Sequence, residues 1–209
     1  MKLLILGATG GTGRAVARFA ATKRHEVTIL ARRPEAARDF GEARIVAGDA
    51  LDRAAVARAL DGAEAVVSAL GTPVSPFREV TLLSAATHIL VGEMQRRGVS
   101  RLVAITGMGA GDSAGHGGFL FDRLFKPLML RKVYADKDRQ EAVIRGSGLD
   151  WTIVRPAVLN DKPARGSVRA LTDLSGFQGG GISREDVAGF ILDELDTGTW
   201  RGRAPLIAW

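Results

Sequence analysis

The sequence predicts a doubly wound parallel α/β sheet with helices on both faces, which makes three layers in one domain. Short continuous apolar runs alternate with helical patterns from the first residue, as is typical of consecutive βαβ units. A glycine-rich turn joins the first run to the first helix. The chain has 209 residues and no linker rich in Pro, Gly and Ser. We therefore expect a single domain over residues 1–209, with small C-terminal elements on its substrate side.

Six apolar runs are predicted to form the sheet, and apolar residues at helical spacing predict covering helices between them. Asp52 is expected to cap the second helix, the third is expected to end near Gly98, and Ser183 opens a capping box ahead of the last. Residues 205–208 are predicted to add an edge strand. The six main strands are residues 3–6, 27–30, 44–47, 65–70, 102–105 and 151–154.

The composition excludes several kinds of site. The chain contains no cysteine, which excludes disulfides, thiolate nucleophiles, iron–sulfur clusters and zinc sites built on sulfur. The histidines, His25, His88 and His116, are too far apart to bind a metal from one helical turn. We therefore expect no metal centre.

The charge and hydropathy patterns indicate a cytoplasmic protein with a small-molecule substrate. No apolar run approaches the roughly 18 residues of a membrane span, and the apolar start is too short for a signal peptide. The formal charge is +6 and the pI is near 10.3, but basic and acidic residues are interspersed. We expect a solvated basic surface, neither a membrane nor a nucleic acid as partner, and a monomer or homodimer.

Three glycines between the first strand and the first helix predict a dinucleotide-binding turn. Gly7 permits a tight turn, Gly10 lets the backbone approach a pyrophosphate, and Gly13 allows the helix to pack closely on the strand. Free N–H groups at the start of the helix then face the phosphates. The alternative is a tight turn without a ligand, but the strand before the glycines and the helix after them favour a nicotinamide dinucleotide.

The end of the second strand favours NADP over NAD. NAD-binding proteins carry an acid about 20 residues beyond the glycines, where it binds the ribose hydroxyls. Arg32 and Arg33 stand there instead, and guanidinium groups suit a 2′-phosphate. The alternative is that both arginines are solvated and that Glu35 is the acid. Asp49, after the third strand, is a candidate acceptor for the adenine amino group or else a turn residue.

Four segments resemble one known family. They are ILGATGGTGR at 5–14, GDALD at 48–52, ALG at 69–71 and SGLDWTIVRPAVL at 147–159. Together they resemble the atypical short-chain dehydrogenase/reductases, and the nearest branch is that of the NADP-dependent flavin reductase and biliverdin reductase-like proteins. The resemblance covers nearly the whole chain. It implies a Rossmann fold, NAD(P) binding and oxidoreductase activity.

The same resemblance implies cofactor contacts from the adenine to the nicotinamide. The pyrophosphate is expected to contact Gly7, Thr9, Gly10, Gly11, Thr12 and Gly13, and the 2′-phosphate is expected to contact Arg32. The adenine is expected to contact Asp49 and Ala50, and the ribose Leu70 and Gly71. The nicotinamide is expected to lie beside Thr106 and Pro156.

The catalytic acid is less certain. The main short-chain dehydrogenases use a tyrosine with a lysine four residues later, whereas the only tyrosine here, Tyr134, is followed at that spacing by Asp138. Lys137 lies on an inward helical stripe, where a lysine needs a partner or a ligand. We expect Glu141, one turn later, to orient Lys137 toward the cofactor ribose, or else a plain salt bridge between the two. Thr106, Tyr134 and Lys137 are the catalytic candidates.

The segment after the fifth strand is expected to shape the substrate pocket. Residues 107–118 are rich in glycine and are predicted to be a mobile loop facing the ligand crevice. Gly107 stands where this branch commonly has a serine, so we expect a different pocket. Large apolar residues follow, for which core packing is expected rather than a roof over a flat substrate or a subunit contact. They are Phe119, Phe121, Phe125, Leu128 and Met129.

These features together predict an NADPH-dependent reductase that transfers a hydride to a flavin or a similar planar conjugated molecule. In the branch that the chain resembles, such an acceptor takes its proton from solvent, so a strong protein acid is not required. The first alternative is a non-catalytic NADP-binding sensor or assembly protein, which the displaced tyrosine and the missing serine favour. The second is an NAD-dependent epimerase or dehydratase, against which Arg32, Arg33 and the short C-terminal part argue.

Overall fold

The computed structural model describes residues 1–74, 78–119 and 121–209 of the chain. Its α-helices are α1 (Gly11–Thr22), α2 (Arg53–Ala59), α3 (Leu82–Arg97), α4 (Arg131–Arg145) and α5 (Arg184–Thr197). Its strands are β1 (Lys2–Leu6), β2 (Glu26–Ala31), β3 (Arg44–Ala47), β4 (Ala65–Ser68), β5 (Arg101–Ile105), β6 (Asp150–Pro156), β7 (Val158–Asn160), β8 (Arg169–Leu171), β9 (Gly181–Ser183) and β10 (Leu206–Ala208). Short 3₁₀ turns span Pro34–Phe40 and Gly111–Ser113, and a π-helical segment spans Phe121–Leu130.

The main sheet has the doubly wound order β3-β2-β1-β4-β5-β6-β10-β8, and its strands run parallel except for β8. Strand β1 pairs with β2 on one side and with β4 on the other, so the direction of winding reverses beside β1. Ligands of open α/β sheets bind at such a switch point, outside the carboxyl ends of the strands. The predicted fold class is confirmed: this is a Rossmann-like α/β domain with helices on both faces.

The far side of the sheet differs from the prediction. Residues 205–208 do contain a strand, β10, but it lies between β6 and β8 and is therefore not an edge. The edge is β8, which runs antiparallel to β10 through pairs such as Ala170 with Ile207. Because β8 is short and only half-buried, it carries no continuous apolar run to reveal it. Strands β7 and β9 form a separate two-stranded parallel sheet.

The core lies in two layers, one on each face of the sheet. Alternate residues of β1 point to opposite faces, as the pleat requires. Leu3 and Ile5 belong to the layer that includes α1 and α5. Leu4 and Leu6 belong to the layer that includes α2 and α3. Strand β1 is therefore buried on both sides, which accounts for its continuous apolar run.

The helix ends follow the predicted capping residues. The Asp52 side chain accepts a hydrogen bond from the backbone N–H of Ala54 at 2.9 Å. Helix α3 ends at Gly98, whose φ of +69° is the left-handed conformation that glycine favours. Ser183 accepts from the backbone N–H of Asp186 at 3.0 Å, as a capping box requires.

Helix α3 has a cap from outside its own sequence. Asp136 of α4 is fully buried and accepts from the backbone N–H of Leu83 at 2.8 Å and from Ser84. A buried carboxylate at a helix N-terminus is stabilised by the free N–H groups and by the helix dipole. This contact fixes α4 against the start of α3.

The large apolar residues after the glycine-rich loop are not core, which corrects that expectation. Phe119 is 79% exposed, and Phe125, Leu128 and Met129 are between 45% and 64% exposed. Phe121 is half-buried and meets the Tyr134 ring edge-on at 5.8 Å between ring centres. The π-helical segment packs mainly on α4, so its apolar side chains do not reach the sheet.

Across the described ranges, no helix combines the length and the apolarity needed to cross a bilayer. The histidine, aspartate and glutamate side chains of those ranges form no cluster suited to a metal ion.

Candidate functional site

A crevice of about 430 Å³ lies at the switch point, at the carboxyl ends of β1, β2, β3 and β4. The glycine turn forms one wall, the residues after β2 and β3 form the second, and the segment after β4 forms the third. A larger hollow of about 900 Å³ opens at the amino ends of β1, β2 and β3, but it is lined by no predicted site residue. The predicted residues that line the crevice are Gly7, Thr9, Gly10, Gly11, Thr12, Arg32, Asp49, Ala50, Leu70 and Gly71.

The glycines of the turn have separate roles. Gly7 has a φ of +80°, and a Cβ there would lie 2.4 Å from the carbonyl oxygen of Ala69. A Cβ on Gly13 would lie 2.2 Å from the carbonyl oxygen of Gly7, so Gly13 is a packing residue outside the crevice lining. Gly10 is the N-cap of α1 and has no side chain to cap it. The first turn of α1 therefore presents backbone N–H groups and the positive end of the helix dipole to the crevice.

Of the two adjacent arginines, Arg32 is the one that lines the crevice. It is exposed and follows directly on the end of β2. Arg33 is the N-cap of the 3₁₀ turn and is not among the lining residues. Asp49 lies on the same wall, and its Oδ1 accepts from the backbone N–H of Leu51 at 2.9 Å, so it has the turn role that the sequence allowed.

The three catalytic candidates form one cluster beyond the carboxyl end of β5, outside the crevice lining. Lys137 Nζ donates to the carbonyl oxygen of Thr106 at 2.6 Å and lies 4.9 Å from the centre of the Tyr134 ring. The Tyr134 hydroxyl donates to the carbonyl oxygen of Met108 at 2.8 Å. The carbonyl oxygen of Pro156, at the end of β6, accepts from the N–H of Met108 at 2.9 Å. Backbone carbonyls thus hold both candidate proton donors.

Burial shifts the pKa values of the two titratable candidates in opposite directions. It lowers the pKa of Lys137 to about 8, although the carboxylates of Glu141 and Asp138 act the other way. It raises the pKa of Tyr134 to about 12, and Asp122 and Asp138 add to that increase. A tyrosine that is bonded to a carbonyl and hard to ionise is poorly matched to acid–base work near neutral pH. Lys137 is the better matched of the two.

Glu141 does not orient Lys137, which corrects the expected pairing. Its Oε1 accepts from the Thr106 hydroxyl at 2.8 Å and from Arg155 Nε at 2.9 Å. Arg155 and Glu141 are each 2% exposed. The guanidinium offers several N–H groups in one plane that match a carboxylate, and a lysine ammonium does not. Arg155 therefore takes the carboxylate that the helical spacing had assigned to Lys137.

The first half of the glycine-rich loop, residues 107–113, is bonded to neighbouring elements, although a loose loop is expected there. Residues 107–110 are buried, and Met108 belongs to the core. Arg155 also donates to Asp112, and Asp138 accepts from the backbone N–H of Gly111 at 2.7 Å. Bonds from β6 and α4 thus hold this part of the loop. His116 lies further on and is half-buried.

Gly107 makes room for Lys137. A Cβ on Gly107 would lie 2.9 Å from Lys137 Nζ and 3.7 Å from the Tyr134 hydroxyl. A serine at this position would therefore force the ammonium aside. The resembled branch commonly has a serine where this chain has Gly107. The Lys137 ammonium occupies the space that a side chain at this position would take.

Two arginines at the site were not predicted from the sequence to be site residues. Arg155 is a charged residue inside the apolar run of β6, and such a residue signals a buried ion pair. Arg184 lines the crevice from the start of α5, where the sequence indicated only a capping box.

The family of the chain follows from comparison with known proteins. Residues 7–197 match a family described as NAD(P)H-binding. The chain belongs to this NAD(P)H-binding family. The crevice fits that cofactor, because the turn has no side chains where α1 begins and its N–H groups face the cavity. The match confirms the NAD(P)-binding family that the resemblance implied.

Similar proteins include two reductases and an epimerase by name. An uncharacterized sugar epimerase, YhfK, of Bacillus subtilis is 29% identical over 212 residues, with 98% of this chain and 92% of the relative covered. A (4-alkanoyl-5-oxo-2,5-dihydrofuran-3-yl)methyl phosphate reductase of Streptomyces griseus is 34% identical over 155 residues, with 74% of this chain and 46% of the relative covered. ChuY, an anaerobillin reductase from Escherichia coli O157:H7, superposes with a TM-score of 0.84 at 23% identity, covering 100% of this chain and 97% of ChuY. At that identity the likeness to ChuY establishes the fold alone.

Proposed function

We propose that this chain is an NADPH-dependent reductase that transfers a hydride to a flavin or a similar planar conjugated small molecule. The observation that carries the proposal is the crevice at the switch point, where the bare start of α1 and the Arg32 guanidinium line the same cavity. An anion-binding helix start together with a guanidinium at the end of β2 suits a dinucleotide with a 2′-phosphate.

The nucleotide end of the cofactor is assigned to the crevice. Backbone N–H groups at the start of α1 bind the pyrophosphate, with Gly7 and Gly13 holding the turn in shape. Arg32 binds the 2′-phosphate, and Arg33 adds a weaker attraction from outside the lining. Asp49 and Ala50 contact the adenine, and Leu70 and Gly71 contact the ribose.

The nicotinamide end is assigned to the cluster beyond β5 and β6. When bound, NADPH supplies the hydride. The Thr106 hydroxyl and the Tyr134 hydroxyl already donate to Glu141 and Met108, so neither is free to donate to an acceptor in this arrangement. Lys137 has three N–H groups and gives one to Thr106, which leaves donors for a ribose hydroxyl or the acceptor. The residues of this chain thus mainly position the two reactants.

A reductase of conjugated acceptors fits this pattern better than a carbonyl reductase does. Reduction of a simple carbonyl group needs a well-placed acid for the alkoxide that forms, whereas a conjugated product spreads its charge and takes its proton from water. The small C-terminal elements, β7 and β9 with their flanking loops, are proposed to border the acceptor, since β7 directly follows the end of β6, where the nicotinamide end is assigned.

Two other functions have specific support. The name of the Bacillus subtilis relative favours a sugar epimerase, and that relative is of nearly the same length. An epimerase would return its cofactor unchanged, so it would cause no net loss of NADPH. The satisfied hydroxyls of Thr106 and Tyr134 favour a sensor that binds NADPH without turning it over.

Loss of NADPH absorbance with a panel of acceptors distinguishes these functions. The panel contains FMN, riboflavin, biliverdin and quinones, with a nucleotide-linked sugar as the epimerase arm. We expect oxidation of NADPH with at least one planar acceptor. Tight NADPH binding with no oxidation across the panel would overturn the reductase and favour the sensor. Interconversion of the sugar without net oxidation would favour the epimerase.

A further inference from the structure

Arg184 reaches the glycine turn from the other end of the chain. It is the first residue of α5, and its side chain lines the crevice together with Gly10, Gly11 and Thr12. The side chain is 28% exposed, and Nη1 forms an ion pair at 2.7 Å with Asp161, which is 86% exposed. In this ion pair Nη1 donates a hydrogen bond to Asp161 Oδ1, so most of the five guanidinium N–H groups remain available to a ligand.

The Arg184 side chain lies directly over Gly11. A Cβ on Gly11 would meet Arg184 Nε at 2.7 Å and Cδ at 2.9 Å. Gly11 does not have a positive φ, so its backbone does not require glycine. What glycine provides at this position is the space that the arginine fills. The guanidinium is thereby held beside the N-terminus of α1.

The charge of Arg184 is placed where the dipoles of two helices disfavour it. A cation in the first turn of a helix opposes the helix dipole, and Arg184 is the first residue of α5. The same side chain also faces the positive end of α1. An anion between the two would relieve both repulsions. Among the described residues that line the crevice, Arg32 and Arg184 are the basic ones.

We propose that Arg184 is a cofactor-binding residue that contacts the pyrophosphate from beside the start of α1. This inference rests on the proposed function, and it divides the two arginines by task. Arg32, at the end of β2, distinguishes NADPH from NADH through the 2′-phosphate. Arg184, at the glycine turn, binds the group that both dinucleotides share. Arg184 therefore contributes affinity without selectivity.

Dissociation constants for NADPH and NADH test this division. They are measured by fluorescence titration for the unchanged protein, for Arg184→Gln and for Arg184→Lys. We expect Arg184→Gln to weaken both dinucleotides by the same factor, tenfold or more, with the NADPH-to-NADH ratio unchanged. Arg184→Lys keeps the charge and should recover part of the loss. Inorganic pyrophosphate should compete for the unchanged protein and compete poorly for Arg184→Gln.

Three further variants separate binding from structure. Asp161→Asn removes the ion pair and keeps the guanidinium, so affinity for both dinucleotides should persist. Gly11→Ala pushes the guanidinium aside and should weaken both. Lys162→Gln is the matched control, because Lys162 lines the neighbouring hollow with Arg184 but not the crevice, and it should change neither constant. Thermal unfolding of each variant checks that it is folded.

The two possible failures can be told apart. If the unchanged protein prefers NADPH and Arg184→Gln binds both dinucleotides as tightly, the Arg184 inference is overturned and the proposed function stands. The same holds if Arg184→Gln alters the NADPH-to-NADH ratio as strongly as a change at Arg32 does. If the unchanged protein binds neither dinucleotide, both proposals are overturned.

Discussion

The two ends of the candidate site differ in how their polar groups are satisfied. At the glycine turn, backbone N–H groups of α1 and the guanidinium of Arg32 face an open crevice. We refer to the turn, Arg32 and Arg184 as the open half. At the carboxyl ends of β5 and β6, polar side chains bond to one another and to backbone carbonyls. We refer to Thr106, Tyr134, Lys137, Glu141 and Arg155 as the bonded half.

The difference indicates where affinity and chemistry come from. The open half presents backbone N–H groups and two guanidinium groups to an open cavity, so it is suited to binding anions. In the bonded half, buried polar groups are costly unless paired, and the pairing that stabilises the fold also occupies the hydroxyls that an acid catalyst would need. Affinity for the cofactor is therefore expected from the open half and positioning of the reactants from the bonded half.

The largest effect is expected from breaking the bonded half at Arg155. Arg155→Met removes the buried cation of the Glu141 carboxylate and leaves only the more distant Arg145, at 3.7 Å, which should lower the free energy of unfolding by about 3–5 kcal/mol. Urea unfolding measures this loss. The matched control is Arg101→Met, because Arg101 also forms a buried ion pair, with Glu194 at 2.7 Å. Arg101 is the first residue of β5 and therefore lies at the end of the strand that is remote from Thr106.

Both variants should lose similar stability, but only Arg155→Met should impair NADPH oxidation under conditions where both are folded. The reason is that Arg155 bonds Glu141, which holds the Thr106 hydroxyl. Equal impairment by the two variants would contradict a positioning role for the bonded half.

The next largest effect is expected in the open half at Arg32. Charge-assisted hydrogen bonds contribute roughly 1.5–3 kcal/mol, so Arg32→Glu should weaken NADPH binding about tenfold to a hundredfold. NADH lacks the 2′-phosphate, so its dissociation constant should change little. Arg33→Glu, the adjacent control outside the crevice lining, should change both constants less than about threefold. A larger effect at Arg33 than at Arg32 would reverse the assignment.

A smaller effect is expected from titrating Lys137. Its ammonium loses a proton near pH 8, so NADPH oxidation should decline as the pH rises through about 8. Lys137→Met should give a lower rate with no inflection there. A pH profile that Lys137→Met leaves unchanged would exclude Lys137 as the titrating group.

The decline in activity above pH 8 should not be accompanied by a loss of folding stability. Since the pKa of Lys137 in the folded chain lies below its ordinary value of 10.5, the charge opposes folding below pH 8. That penalty diminishes as the pH rises from about 8 toward 10.5. Unfolding measured across the same range separates the two effects.

The smallest effect is expected at Tyr134. Its hydroxyl donates to the carbonyl oxygen of Met108, so Tyr134→Phe should cost about 0.5–1.5 kcal/mol of stability. The maximal rate of NADPH oxidation should change less than about threefold, because the hydroxyl proton is held by the Met108 carbonyl and is not transferred to the acceptor. A hundredfold fall in that rate in a folded Tyr134→Phe protein would make Tyr134 the acid after all.

The turn and Arg32 of the open half could be predicted from the sequence because they are close together along the chain. Three glycines after a short apolar run fix the turn locally, and Arg32 follows the next strand directly. The main strands of the sheet could also be predicted locally, because buried parallel strands appear in the sequence as continuous apolar runs. Strand β8 was missed because a half-buried edge strand of three residues carries no such run.

The bonded half could not be predicted in detail because its contacts join distant segments. Helical spacing placed Glu141 beside Lys137, but Arg155 of β6 binds the carboxylate instead. The apolar side chains of the π-helical segment do not reach the sheet, although their composition is that of a core.

Arg184 belongs to the crevice only because α5 packs beside α1.

The central claim is that the open half binds NADPH and distinguishes it from NADH. Calorimetric titration of the unchanged protein with each dinucleotide tests this most directly. We predict one saturable site per chain and at least tenfold tighter binding of NADPH than of NADH. Equal affinities for the two dinucleotides, or no saturable binding of either, would contradict the account.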